Sequence, residues 1–105
     1  MKESDWKIFK QIKEKALDTF CRNSLKEFGS VINNDSETAH KRYLSLYEIV
    51  HDNDKELGLV FDGHSRSKAQ MQLTAMRVRE IADENLVKKL SSELQESTDP
   101  KRFEW

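Results

Sequence analysis

One proline, at position 100, and three glycines are all that a chain of 105 residues offers for sharp turns. A sheet protein needs a turn about every 8 to 12 residues, so the scarcity of turn formers leaves an all-α chain. The apolar spacing agrees. Trp6, Phe9, Ala16, Leu17, Phe20, Phe28 and Val31 recur at three- and four-residue steps, widened by Ile12 and Leu25, and predict a first helix from about Ser4 to Val31. N-N-D-S at 33–36 is a turn cluster in which Asn34, Asp35 or Ser36 caps the next helix.

The second helix starts near Glu37, with Ala39, Tyr43, Leu46, Tyr47, Val50, Leu57 and Phe61 on one stripe. Continuity through H-D-N-D at 51–54 places Asp54 within that stripe. Burying an unpaired carboxylate is costly, so Asp54 is expected to be paired or at the rim. The third helix, about Ser65 to Ile81, has apolar residues on two sides: Ala69, Leu73 and Met76 on one, Met71, Ala75, Val78 and Ala82 on the other. Such a helix packs against two neighbours or lies at a subunit interface. Asp83 caps a fourth helix carrying Leu86, Val87, Leu90 and Leu94. The expectation is one domain over 1–105, a small antiparallel bundle of about four helices, with 97–105 a short C-terminal tail.

Apolar residues make up 36% and charged residues 35%, so the core must be thin; five Phe, two Tyr and two Trp with a net charge of -1 argue against disorder. Charge alternates along the chain. Residues 1–32 carry seven basic and five acidic groups, 33–64 three and seven, 65–82 four and one, 83–105 four and six. Neighbouring helices therefore attract each other, and no uniform basic face for nucleic acid stands out. Cys21 is the only cysteine, which excludes an internal disulfide and a cysteine-built zinc site. The start, M-K-E-S-D-W-K-I-F-K, has no apolar signal core, and no run is long enough for a membrane span. The expected compartment is the cytoplasm.

Motifs of catalysis fail on spacing. E-I-V-H at 48–51 has the Glu-x-x-His spacing of di-iron bundles, but such a site needs a second copy and further inward glutamates. Facing Tyr43, Val50 and Phe61 to the core turns Glu48 and His51 outward. H-D at 51–52 lacks the second metal cluster of helical phosphohydrolases. D-N-D-K-E-L at 52–57 puts Leu57 and Gly63 where a calcium loop needs glycine and glutamate. Ser65 and Ser67 beside His64 lack a nucleophile elbow, no phosphate-binding glycine motif is present, and Cys21 reads as a structural, partly buried thiol. The expectation is no enzyme, no metal and no cofactor.

Two features remain. Arg66 and Lys68 add positive charge where a helix start already carries a partial positive charge. Together with Arg77 and Arg79 they form the candidate anion or ion-pair group. The expected counter-charges, Asp54 and Asp62 among them, come from the acidic second helix; a bound phosphate or carboxylate is the alternative. The second feature is the ending K-R-F-E-W, whose Phe103 and Trp105, with Met71 and Val78 of the third helix, are the candidate partner-binding residues. The functional expectation is a small non-enzymatic protein–protein interaction module of assembly, adaptor or inhibitor type, acting through a helical face, most simply as a homodimer. A nucleic-acid-associated regulator using the basic third helix is the alternative.

Overall fold

The computed structural model describes residues 1–103, and these are helical with no strand among them. Five α-helices follow in order: α1 (Glu3–Ile32), α2 (Ala39–Phe61), α3 (Arg66–Val78), α4 (Glu84–Val87) and α5 (Ser92–Ser97); a 3₁₀ turn, Pro100–Phe103, ends the described chain. α1 and α2 are continuous, α2 through H-D-N-D as well. The expected fourth helix is instead two short ones.

Local chemistry accounts for the boundaries. Glu3 and Asp5 in the first turn of α1 suit its positive end, and Arg42 donates to the Ile32 carbonyl (2.7 Å) at the other end, where carbonyls lack helical partners. Thr38, not Asn34, Asp35 or Ser36, caps α2 by accepting from the Lys41 N–H at 3.2 Å. The Asn34 side chain is taken up by the Ser36 N–H and hydroxyl, which form the turn. α3 stops at Val78, short of Ile81. Beyond it Glu80 adopts φ 58°, and the N–H groups of Glu80 and Ile81 return to the carbonyls of Arg77 and Met76 (3.1 Å each). This is a Schellman cap with the apolar pair Ile81 and Met76 closing it. Asp83 caps α4 as expected, accepting from the Asn85 N–H at 2.9 Å.

The break after α4 has a long-range cause. The buried carboxylate of Asp5, 4% exposed, accepts from the Ser91 N–H (2.8 Å) and hydroxyl (2.7 Å). Ser91 in turn caps α5, its Oγ accepting from the Leu94 N–H. Thus α1 holds the start of α5 in place.

Burial is strongly polarised. The core comprises Phe9, Ile12 and Ala16 of α1, Val60 and Phe61 of α2, Ala69, Leu73 and Met76 of α3, then Ile81, Val87, Leu90 and Leu94. Full burial of such a side chain stabilises by ~1.5–3 kcal/mol. No residue from 17 to 59 is buried. The distal halves of α1 and α2 therefore form a two-helix arm projecting from a compact base, and the molecule measures 52 × 29 × 21 Å. Its radius of gyration, 16.6 Å, exceeds the ~13 Å of a compact chain of this length.

The third helix buries only one of its two apolar sides. Ala69, Leu73 and Met76 enter the core, whereas Met71 and Val78 are exposed and Ala75 and Ala82 half-buried. Among the described residues no helix is long and apolar enough to cross a membrane.

Candidate interaction surface

The arm is assembled by an inward seam and flanked by a second one. Arg42, Leu46, Ile49, Asn53, Glu56 and Val60 of α2 are buried or half-buried, alternating steps of four and three residues as one helix facing another requires. Asn53 accepts a hydrogen bond from Ser24 of α1, whose hydroxyl also lies 2.9 Å from the Phe20 carbonyl. At the base, Phe20 meets Phe61 edge to face, with centroids 5.8 Å apart.

The second seam is displaced by one residue: His40, Tyr43, Tyr47, Val50, Asp54, Leu57 and Phe61. Its lower end is covered, Phe61 in the core and Leu57 packed against it. Its upper end has no cover. Tyr43 and Tyr47 are each 69% exposed and Val50 43%. The single stripe expected for α2 thus merged two faces: Leu46 lies on the inward seam, whereas Tyr43, Tyr47, Val50, Leu57 and Phe61 lie on the second, which is covered only at its lower end. Asp54, expected to be paired or at the rim, is exposed at the rim and makes no hydrogen bond or ion pair among the described residues.

On α1, Cys21, Leu25, Phe28 and Ile32 run alongside at the same alternating spacing, with Leu25 66% and Ile32 50% exposed. Between the helices lies an apolar groove of about 350 Å³, walled by Phe20, Cys21, Leu25 and Phe28 on one side and Val50, Asp54 and Leu57 on the other. Cys21, expected to be partly buried, is an exposed thiol on this wall. Polar side chains are few here, and a small apolar cleft on a two-helix face is the geometry that receives another helix.

The basic group of α3 is dispersed rather than gathered. Arg66 pairs with Glu3 of α1 and lies over the Trp6 ring, 5.6 Å from its centroid. The counter-charge for this helix start comes from α1, not from the acidic α2 as expected. Arg77 points the other way, donating to the Gln95 carbonyl (2.7 Å) and Thr98 hydroxyl (3.1 Å) and lying 3.4 Å from Glu84. Arg79 does reach α2, at Glu56. Lys68 lies across the α2–α3 turn, where a side chain at Gly63 (φ 81°) would meet its ammonium at 2.8 Å.

That turn, F-D-G-H-S-R-S-K, is tied down by structure. Lys13 donates to the Gly63 carbonyl at 2.7 Å, and Gln72 donates to the Asp62 and Gly63 carbonyls at 2.8 and 3.2 Å. Burial holds the Lys13 ammonium below its usual range; Asp62 opposes the shift and Lys68 adds to it. His64 lies against Trp6, with ring centroids 4.9 Å apart, while His51 stacks parallel on Tyr47 at 6.3 Å. Among the described residues no three His, Cys, Asp or Glu side chains converge as a metal site would need.

Of the four candidate partner-binding residues, Met71 (66% exposed) and Val78 (53%) lie on the open side of α3; Trp105 and the Phe103 side chain lie outside the described residues. The arm face was not singled out from sequence, although its double spacing on α2 is a signal that could have found it. No family model, curated protein or solved structure matches the chain.

Proposed function

We propose that this protein is a non-enzymatic protein–protein interaction module whose working surface is the α1–α2 arm. The observation that carries the reading is the exposed seam of Tyr43, Tyr47 and Val50 beside Leu25 and the groove. Monomeric proteins seldom leave contiguous apolar patches open to water unless something docks there. Tyrosines suit such a task, since each combines a large apolar face with a hydroxyl that tolerates exposure when the site is empty. The base supplies rigidity: the core anchors both helices below residue 17 and above residue 59, so the face is presented preformed.

The alternative of a nucleic-acid regulator draws no support from the placement of its residues. Arg66, Arg77 and Arg79 have carboxylates as neighbours and point in different directions, whereas phosphate recognition gathers free cations on one face.

A photo-reactive residue placed at position 47 and, as a control, at exposed Lys89 tests the reading. Adducts to a protein chain that form at 47 and not at 89 are expected. Equal labelling at both positions, or none at 47, overturns it.

A further inference from the structure

The exposed part of the second seam on α2, from His40 to Asp54, is centred on one residue. Tyr47 is its midpoint, with His40 one heptad before it and Asp54 one heptad after. An antiparallel copy of the same helix, related by a two-fold axis through Tyr47, would bring each His40 opposite the partner's Asp54. Neither His40 nor Asp54 makes an ion pair or side-chain hydrogen bond among the described residues. Two-fold pairing satisfies both at once, and it does so twice per dimer, because an isologous interface repeats every contact.

The groove fits the same register. Asp54 forms part of its wall, so the arrangement that carries the partner's His40 to Asp54 also carries the partner's Tyr43 over the mouth of the cleft near Val50. A carboxylate covered by an approaching apolar face needs a hydrogen-bonding partner within the interface; this register supplies the His40 imidazole.

The available surface has the right scale. From Leu17 to Ile32 the arm rises ~24 Å along α1. Tyr43 and Tyr47, each 69% exposed, together offer ~280 Å² if a tyrosine can bury ~200 Å². That is about a third of the ~800 Å² per partner in a stable interface, and Leu25, Ile32 and Val50 lie in the same footprint. The strict alternation of three- and four-residue steps is the pattern that knobs-into-holes packing between helices requires.

We propose that the occupant of the arm face is a second copy of this chain, docked antiparallel so that α2 meets α2 with Tyr47 on the two-fold axis and His40 against the partner's Asp54. The two arms then form a four-helix bundle, with a base at each end. The proposal rests on the reading of the arm as an interaction surface and adds the identity of the partner.

Sedimentation equilibrium of the full chain across a range of concentrations tests it. The expected mass is twice the 12.4 kDa of the single chain. Tyr47→Glu places two carboxylates on the axis and is expected to return the mass to 12.4 kDa with its helical circular dichroism unchanged. His40→Glu sets like charges opposite each other and weakens dimerisation on the order of tenfold or more. The double variant His40→Glu with Asp54→Lys restores it, which fixes the register. A wild-type chain of single mass at every concentration overturns the proposal, as does a dimer indifferent to Tyr47→Glu or a charge swap that fails to restore association. A single-mass chain that still cross-links from position 47 to a different protein overturns the second copy as occupant while the interaction reading stands.

Discussion

Replacing Asp5 with alanine removes the hydrogen bonds that tie the first turn of α1 to Ser91 at the start of α5. The carboxylate is 4% exposed and accepts two hydrogen bonds from Ser91, at 2.8 and 2.7 Å. A hydrogen bond to a charged acceptor contributes ~1.5–3 kcal/mol, and the two share one carboxylate, so they do not add in full. A first-turn acid adds ~0.3–1 kcal/mol through the helix dipole. Alanine also relieves the cost of holding a charge out of water, which offsets part of the loss. The net expectation for Asp5→Ala is a destabilisation of about 3 kcal/mol, a large share of the ~5–15 kcal/mol typical of a small domain. Asp5→Asn keeps an acceptor for the Ser91 N–H and turns an amide donor toward its hydroxyl, so its cost should be nearer 1 kcal/mol. Urea unfolding followed by circular dichroism measures both. With a slope of ~1.5 kcal/mol/M the alanine variant moves the midpoint by ~2 M. Ser91→Ala should show strong coupling to Asp5→Ala in a double-mutant cycle. A shift under ~0.5 kcal/mol for Asp5→Ala, the range of ordinary surface substitutions, or strict additivity with Ser91→Ala, would refute the clamp.

Other consequences are open to the same unfolding measurements. Leu73→Ala, in the fully buried core, should cost ~2–5 kcal/mol, whereas Leu44→Ser, at an exposed position of the arm, should stay within ~0.5 kcal/mol. Glu80→Gly removes a left-handed non-glycine residue (φ 58°) and should stabilise by ~0.5–1 kcal/mol; a loss of stability would contradict the cap assigned there. The Asp83 carboxyl is held below its ordinary value of 3.8, chiefly by its hydrogen bond with Lys15 and also by the Asn85 N–H. Because the folded state favours the charged form, this contribution is present above pH 3.8 and is lost as pH falls through the lower folded value. Thermal unfolding at a series of acid pH values should therefore show a steeper acid loss for the wild type than for Asp83→Asn.

The first helix was legible because one apolar face runs its length and the turn cluster after it is unmistakable. Phe9, Ile12 and Ala16 are both the periodic residues and the buried ones. The second helix misled for the opposite reason. Its two seams lie one residue apart, and tyrosine at 43 and 47 counts as apolar in either. Which seam meets α1 depends on the partner's surface, where Ser24 selects Asn53. The end of α3 was hidden because its left-handed residue is Glu80 rather than glycine. The break before α5 depends on a contact across 86 residues, which no local pattern encodes. The charge pairs were legible as a need, not as partners: the positive start of α3 called for an acid, and Glu3 became that acid only when α1 and α3 met.

The separation of buried core from exposed arm has a consequence for how such a chain can change over generations. Between residues 17 and 59 the exposed Leu25, Tyr43 and Tyr47 lie outside the core, and only the groove residues nearest the base, Phe20 and Leu57, also pack against it. A substitution at Leu25, Tyr43 or Tyr47 can therefore retune recognition while the base still folds, and a substitution in the base can be compensated there without disturbing the recognition face. Chains built this way are free to acquire new partners one residue at a time, because the usual conflict between keeping a structure and altering a surface is divided between two ends of the same pair of helices.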